Sequence, residues 1–369
     1  MEKEKRNQLI TRIYNISRAL IMIIFLGSLL LWAATAEAAD REDWIPSIHG
    51  TVRGKFEYQP DLSATRFEVR NARVSVDGLL PFGIADTISS DLILKRGVRY
   101  KAEIDLSDEG TIKMLDAYVQ VRPFRSFHFT IGQMRVPFSI DAHRSPHQQY
   151  FANRSFIAKQ VGNVRDVGLM AGYTWYLPAG KPVAMLDAGI YNGSGLTAQK
   201  TAWHRDINFS ARAQFFPLKP WNITLSTQRS RVGADSLHYV SLDAGSFYHD
   251  EHWHAEVEYL HKRYFPNQYV PVHAVDAFLA YTHTIQSRKS NRGRGLALSY
   301  LARYDYMSQQ ELTDAERHRL TTGITLHMVL YRQLAADLRL NYEQYWYAAD
   351  ATPKESEQSK LVAELMLHF

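Results

Sequence analysis

The stretch from residue 135 to residue 165 concentrates side chains that can bind anions. It contains five cations and two histidines against a single acid, Asp141. Arginine offers several donors matched to phosphate oxygens, and a cation in a narrow space of low dielectric attracts anions strongly. The residues that we expect to line a constriction and bind anions are Arg135, Arg144, His147, Arg154, Lys159 and Arg165, with His143 as the second histidine. The alternative is that these cations pair with carboxylates elsewhere and only fix the segment in place.

Two other kinds of chemistry have weaker support. His252, His254, Glu256 and Glu258 share one face of a predicted strand and are residue types that ligate divalent metals. Alternation of polar side chains along a strand produces the same set, so we expect no metal site and no cofactor. No serine and histidine stand at a spacing that would place both on neighbouring strands with an orienting partner, so we expect no catalytic residues and no enzyme activity.

The elements that must position these residues are indicated by an alternation of polar and apolar side chains. In residues 48–58, Val52 and Phe56 fall on one face and Arg53 falls on the other. A period of two marks a strand with one apolar and one polar face. About sixteen segments show it, including residues 100–106, 115–122, 167–175, 208–216, 253–259, 294–305, 319–328, 336–343 and 361–369. Such strands form either a soluble sandwich or a membrane barrel with its apolar face outside.

Three features favour the membrane barrel. Short connections alternate with long ones along most of the chain, as periplasmic turns and extracellular loops do in outer-membrane barrels. The short ones include residues 123–126, 177–182, 217–220 and 331–334, and the long ones include 194–206, 262–271, 308–316 and 347–359. Aromatic residues that would form girdles at the two lipid interfaces stand near strand ends: Tyr173, Trp175, Trp221, Trp253, Tyr259, Tyr342 and Trp346. The chain also stops inside its last strand, which a barrel closes against the first.

We therefore predict an all-β fold, a transmembrane antiparallel β-barrel of about sixteen strands with a long third extracellular loop folded into the lumen. With the amino terminus on the periplasmic side, the loop that follows the fifth strand is the third outer loop. That loop is the basic segment 135–165, and a barrel of this size is wide enough to hold an aqueous channel. By strand parity the cations on the pore wall are Arg53, Lys55, Arg73, Lys101 and Arg122.

Two stretches depart from regular alternation. The phase changes near Arg70 and Asn71, which predicts a β-bulge. Residues 80–98 form a long break where a short turn is expected, so an extra hairpin or a helix is predicted there.

The first 38 residues have the form of a secretory signal. Five basic residues precede an apolar run at 19–34, which leads into small residues that fit a cleavage site. We predict a signal peptide at residues 1–38 and a single barrel domain at residues 39–369, with an uncleaved membrane anchor as the alternative. The chain has no cysteine, a mean hydropathy of −0.31 and a formal net charge of +5. So mild a charge does not indicate nucleic-acid binding.

Six motifs resemble a known family in their order and spacing. They are FEVRNARVSVDG at 67–78, KMLDAYVQVRPF at 113–124, FTIGQMRVPFS at 129–139, FANRSF at 151–156, RDVGLMAGY at 165–173 and IYNGSG at 190–195. The set is similar to the phosphate-selective porins O and P of Gram-negative bacteria. The resemblance implies a sixteen-stranded trimeric porin of the outer membrane with a constricting third loop, and it suggests a preference for anions or phosphate.

The expected function is a water-filled channel for passive diffusion of small hydrophilic or anionic solutes, in a homotrimer that contacts outer-membrane lipid. Acids and cations are mixed on the predicted wall, so phosphate specificity does not follow from it. Two other classes stay open, an outer-membrane barrel enzyme such as a phospholipase and a structural or adhesive surface barrel. A TonB-dependent transporter is disfavoured, because it needs a plug and about 22 strands.

Overall fold

The computed structural model describes residues 46–369, except for residues 88–92, 109–110, 162–163, 179, 197–202, 204–205, 232–237, 266–268, 287–294, 309–315, 332–333 and 349–354. The described residues form a closed barrel of sixteen antiparallel strands, which confirms the predicted fold class. The predicted signal peptide lies outside the described residues. No helix within the described ranges has the length and apolar character needed to cross a membrane.

Each strand pairs with the strands before and after it in the chain, and β1 pairs with β16. The strands are β1 Ser47–Gln59, β2 Ala64–Thr87, β3 Ile93–Asp108, β4 Thr111–Phe124, β5 Phe127–Arg135, β6 Arg165–Tyr176, β7 Pro182–Tyr191, β8 Asn208–Phe215, β9 Trp221–Arg231, β10 His238–His249, β11 Trp253–Phe265, β12 Val272–Gln286, β13 Gly295–Met307, β14 Arg317–Tyr331, β15 Leu334–Tyr347 and β16 Lys360–His368. A short helix, α1 (Phe156–Gln160), and 3₁₀ turns at Pro146–Gln148 and Glu355–Glu357 lie between strands.

The polar face of the strands is the inner face of the barrel. Val52 and Leu365 are 52% and 49% exposed on the outside, whereas Arg53, the neighbour of Val52, is 1% exposed on the inside. A soluble domain would bury the apolar set instead. Hydrocarbon offers no hydrogen-bond partners, and a closed barrel satisfies its backbone groups internally while it presents an apolar surface to lipid. The predicted orientation of the two faces is confirmed.

The first and last strands close the barrel, as predicted. Phe369 and Gly50 exchange two backbone hydrogen bonds, each 3.1 Å between nitrogen and oxygen. A Cβ atom at Gly50 would lie 2.3 Å from the ring of Phe369, so glycine leaves the space that the terminal aromatic ring occupies. Closure removes both unpaired strand edges.

The two irregular stretches have different outcomes. Arg53 pairs with Asn71 while Gly54 pairs with Val69, so Arg70 is the extra residue of a bulge, and that prediction is confirmed. The prediction of an extra hairpin or helix at 80–98 is wrong for the described residues there, because β2 and β3 simply continue as a long pair. Their register shifts after Pro81, whose missing N–H interrupts the ladder and the pattern.

Connections lie at two ends of the barrel, which we call the turn end and the loop end. Those at the turn end are residues 88–92, 125–126, 177–181, 216–220, 250–252, 287–294 and 332–333, and those at the loop end are 60–63, 109–110, 136–164, 192–207, 232–237, 266–271, 308–316 and 348–359. The first two connections at the loop end are as short as turns. From the third onward the connections at the loop end are longer than their neighbours at the turn end, with one exception: eight residues join β12 to β13 at the turn end, whereas six join β11 to β12 at the loop end.

The predicted girdle residues lie on the outer surface. All seven are between 39% and 47% exposed, although large aromatic side chains are mostly buried in soluble proteins. Trp221 and Trp253 lie near the turn end, Trp346 lies near the loop end, and Tyr259 lies midway along β11. Amphipathic rings at these two levels mark the two membrane interfaces.

Candidate functional site

The connection between β5 and β6, residues 136–164, contacts inward-facing residues from many strands, and we call it the inner loop. Arg53 of β1 donates through Nη1 to Gln149 Oε1 at 2.6 Å. The Ala152 N–H donates to Asn341 Oδ1 of β15 at 2.9 Å. Pro137 O accepts a bond of 2.8 Å from the Ser210 hydroxyl of β8. Because these wall residues come from distant parts of the barrel, the inner loop crosses the interior.

Glu258 of β11 holds the first turn of the inner loop. Its Oε1 accepts the Ser139 hydroxyl at 2.7 Å and the Ile140 N–H at 2.6 Å, and its Oε2 accepts the Asp141 N–H at 3.2 Å. Ser139 has a φ of 65°, a left-handed conformation that is unfavourable for a residue with a Cβ. The concentration of donors on one carboxylate compensates that cost.

Arg144 is the most strongly paired cation of the inner loop. Its Nη1 donates to Glu256 Oε1 at 2.9 Å, Nη2 bonds to Glu256 Oε2, and Asp141 lies 3.6 Å away. Burial alone would lower the pKa of Arg144, but the Glu256 carboxylate outweighs it and raises that pKa above its ordinary value. The guanidinium also lies 5.5 Å from the ring centroid of Tyr150. Arg144 therefore holds the inner loop against β11.

A second set of bonds positions α1. Asp141 Oδ2 accepts both the N–H and the hydroxyl of Ser155, at 3.1 and 2.7 Å, and so joins two distant parts of the inner loop. Ser155 caps α1 by accepting the Ala158 N–H at 3.1 Å. At the other end of α1, Lys262 Nζ donates to Gln160 O at 3.0 Å. Our sequence reading missed this helix, although a serine followed by Phe-Ile-Ala was a signal for it.

One part of the interior is apolar. Phe156 and Ile157 of α1 are fully buried against inward-facing Leu260, Met307 and Tyr345. The interior is therefore apolar in this region, because the inner loop brings its own apolar side chains and the strands provide matching ones. The apolar residues at inward parity positions of β11 and β13 were the signal that alternation had been interrupted.

The inner loop leaves space next to strands β1–β3, on the side of the barrel that continues into β4–β6. A cavity of about 260 Å³ separates Pro146 and His147 at its tip from wall residues that include Ser75. On the wall of this side, three cations and three acids form a matched network: Arg73 with Asp105 (2.8 Å) and Glu103 (3.5 Å), Lys101 with Glu103 (2.6 Å) and Asp116 (3.0 Å), and Arg165 with Asp116 (2.6 Å) and Glu103 (3.2 Å). The charges of this network cancel.

Arg135 and Arg154 are surplus to that network. Arg135 Nη1 donates to His143 O and Arg144 O, at 2.8 and 2.7 Å, and the Arg154 side chain is partly exposed. Across the described ranges, neither guanidinium has a carboxylate oxygen within 4.0 Å. The charges of Arg135, Arg154, Arg73 and Arg165 act on one another, so they share one region of the lumen. Two guanidinium groups without carboxylate partners give this region a positive excess.

Two further cations predicted on the wall or in the constriction are paired. Arg53 is bonded to Glu364 at 2.7 Å. Lys55 lies 2.9 Å from Glu57 and donates to Asn153 Oδ1 of the inner loop at 3.1 Å. Both cations therefore anchor the inner loop to β1, and their acidic and amide partners were not singled out from the sequence.

The remaining three predicted residues lie towards the two mouths. Lys159 is exposed and 3.6 Å from Glu357 at the loop end. His147 stacks on His368, with 5.9 Å between ring centroids, and partial burial together with that neighbour lowers the pKa of His147. Arg122 donates through Nε to Gln120 at 3.0 Å, with no carboxylate partner among the described side chains.

The predicted metal-type residues of β11 serve the inner loop instead of forming one cluster. His252 lies in a turn, and His254 donates through Nε2 to Glu256 Oε2 at 3.1 Å and stacks on Tyr150. Glu256, Glu258 and Asp276 do approach one another, with one oxygen of each within 4.8 Å. Two of these three carboxylates are already bonded to the inner loop.

The structure corrects our expectation about serine and histidine. Ser299 Oγ is 2.9 Å from His327 Nε2, and His327 Nδ1 is 2.9 Å from Asp337 Oδ1. The three residues lie on β13, β14 and β15, whose antiparallel register brings them together across 28 and 10 positions. Spacing alone does not reveal such a set, because the lengths of the intervening connections decide which residues pair.

Residues 51–219 match the family model described as phosphate-selective porin O and P. The match spans all six motifs and confirms the resemblance seen in the sequence. A search of curated proteins finds no match.

Three solved structures are similar over most of their length. The anion-selective porin from Comamonas acidovorans has a TM-score of 0.58 at 11% identity, with 88% of this chain and 98% of that chain covered. The OmpF complex with daunomycin from Salmonella typhi has a TM-score of 0.59 at 10% identity, with 90% and 99% covered. OmpT of Vibrio cholerae in its trimer form has a TM-score of 0.56 at 11% identity, with 88% and 98% covered. Identities this low show a shared fold.

Proposed function

We propose that this chain, which matches the phosphate-selective porins O and P over residues 51–219, is an outer-membrane porin with a modest preference for anions. Small hydrophilic solutes diffuse passively between the inner loop and strands β2–β6. The family match and the porin fold support the channel. Three copies assemble in the outer membrane, as the description of the similar OmpT trimer suggests.

The observation that carries the anion preference is the surplus of two arginines. Arg73, Lys101 and Arg165 are balanced by three carboxylates on the open side, whereas Arg135 and Arg154 face the same region with no carboxylate oxygen of a described residue within 4.0 Å. A charge in a confined space of reduced dielectric acts on a passing ion more strongly than the same charge in bulk water. Anions are therefore enriched beside the inner loop.

An enzyme is the second candidate, since Ser299, His327 and Asp337 have the hydrogen bonding of a serine hydrolase. Two features favour a structural network instead. Ser299 is only 2% exposed, and its hydroxyl is also 2.7 Å from that of Thr282. Ser299 lies inside a strand whose neighbours pair on both sides, so the backbone N–H groups that would stabilise an oxyanion already belong to the sheet. We propose a channel without hydrolytic activity.

Reversal potentials in a KCl gradient across a planar bilayer test the anion preference. Arg135→Gln and Arg154→Gln each lower the ratio of chloride to potassium permeability, and the double variant lowers it further. Arg229→Gln is the matched control, because it removes the same charge from the outer surface of β9. Unchanged reversal potentials in the double variant would refute the proposed pathway, and a protein that forms no channel would refute the porin itself.

A further inference from the structure

The outer surface of strands β9–β12 carries an unusual group of basic side chains near the loop end, which we call the basic rim. It consists of Arg229, Arg231, His238, His261, Arg263 and His273. In the described part of this surface the acid close to it is Asp206, which pairs with Arg231 at 2.8 Å. Arg229 and Arg263 are exposed and have no carboxylate oxygen within 4.0 Å among the described residues. A lipid-facing surface rarely carries such charges unless head groups meet them.

The register of the sheet places the two unpaired arginines in one row. Val240 of β10 pairs with Arg229 of β9 on one side and with Arg263 of β11 on the other. Two strand spacings amount to about 10 Å, so the two flexible side chains can converge on one phosphate group. In the next row towards the membrane centre, His261 pairs with His273, and their ring centroids are 4.7 Å apart. His261 Nδ1 is buried and makes no hydrogen bond with a described residue.

The height of the basic rim corresponds to the head-group level. Trp253 marks the interface at the turn end of β11, and Arg263 stands ten residues further along the same strand. Ten residues span about 33 Å, and a strand tilted by about 40° rises about 25 Å over that length. The apolar band of such barrels is about 25 Å tall. Arg263 therefore lies where the hydrocarbon ends and the head groups begin.

An apolar groove of about 640 Å³ lies directly below the basic rim on the same outer surface. It is lined by the small side chains Ala211, Ala213 and Ala244 together with the larger Leu225 and Leu242. His261 belongs to both the groove and the basic rim, so the two features are continuous. The groove faces hydrocarbon, which makes an acyl chain its natural occupant.

We propose that this surface binds one phosphorylated, multiply acylated lipid of the outer leaflet, with a phosphate between Arg229 and Arg263 and an acyl chain in the groove. Among the described residues at the turn end of β9–β11, exposed Lys219 is accompanied by Asp250 and Glu251. The proposed site lies in the leaflet at the loop end. It does not depend on ion selectivity, and its failure would leave the proposed channel intact.

Native mass spectrometry of the full-length protein in detergent, titrated with diphosphorylated lipid A, tests this inference. Each arginine near an anionic lipid surface contributes about fivefold to affinity, so Arg229→Gln/Arg263→Gln weakens binding about thirtyfold. Ala213→Phe, which fills the groove, also weakens binding while both arginines remain. Lys219→Gln is the matched control at the opposite end and binds as the parent protein does. Single-channel conductance of the double arginine variant shows that the barrel is intact.

Two comparisons complete the test. Enzymatically dephosphorylated lipid A binds as weakly to the parent protein as the diphosphorylated form binds to the double variant. Equal affinity for both lipids, or an unchanged affinity in the double variant, would overturn the proposal. Cross-links between cysteines placed at position 213 in separate copies would also overturn the proposal, because they would show that a second copy of the chain covers the groove.

Discussion

The bond between Arg144 and Glu256 makes a quantitative prediction about what keeps the inner loop in place. The Arg144 side chain is 12% exposed and Glu256 is fully buried. Arg144→Met leaves the carboxylate without its main partner, and loss of one member of a buried pair costs about 3–5 kcal/mol. His254, at 3.1 Å, still bonds to Glu256, so we expect a value near 3 kcal/mol. Arg144→Met/Glu256→Gln removes both charges and should cost about 1 kcal/mol, which is about 2 kcal/mol less than Arg144→Met alone.

Urea titrations of the barrel in detergent, read by tryptophan fluorescence, give these free energies of unfolding. Single-channel recordings add a second observable, because a loosened inner loop moves within the lumen and increases current noise. We expect high noise for Arg144→Met and quiet currents for the double variant. Lys219→Gln, an exposed change at the turn end, controls for charge alone. Equal stability and equal noise in all variants would refute the view that this ion pair fixes the inner loop.

Three further predictions concern the barrel wall and its turns. Gly132 has a φ of 122°, and a Cβ atom there would lie 2.3 Å from a backbone oxygen. Gly132→Ala therefore lowers the free energy of unfolding by about 1–3 kcal/mol. Gly54→Ala is the control and changes this free energy little, because the space around Gly54 is open. Hydrogen bonds from Tyr248 and two backbone N–H groups lower the pKa of Asp250 to about 2. The contribution of this carboxylate to stability is complete above its unfolded pKa of about 4 and is lost as the pH falls through about 2. A carboxyl NMR titration with a midpoint at about 4 would contradict this prediction. Ser299→Ala leaves conductance unchanged, and the parent protein does not react with a fluorophosphonate probe; labelling that disappears in this variant would establish the hydrolase instead.

The barrel was predictable because each strand repeats one simple constraint. Every strand separates lipid from an interior of different polarity, so the alternation recurs in each and errors in one segment do not alter the others. The bulge at Arg70 was visible for the same reason, since an extra residue reverses the faces of everything after it. Residues 80–98 were misread because Pro81 interrupts the ladder locally while the long hairpin continues beyond it.

The site was less predictable because its geometry depends on contacts between distant parts of the chain. The basic character of 135–165 was evident, but the acid that each arginine would meet was not. Glu256 lies 112 residues from Arg144, and nothing in the local sequence relates them. The contact of Ser299 with His327 has the same origin. Pairings of this kind follow from the register of strands and the path of the inner loop, which periodicity does not determine.

Division of the arginines into paired and unpaired groups also bears on phosphate selectivity. A phosphate that bound tightly would need several donors at once, and Arg73, Lys101 and Arg165 already donate to carboxylates that would have to be displaced. Removing a cation from such a partner leaves a poorly solvated acid, which opposes the gain from binding phosphate. Among the described cations beside this network, the guanidinium groups of Arg135 and Arg154 can attract an anion without that cost. The same network that makes the pore wall rigid therefore limits it to weak, general attraction of anions, and we expect chloride and phosphate to compete with similar affinities for this region.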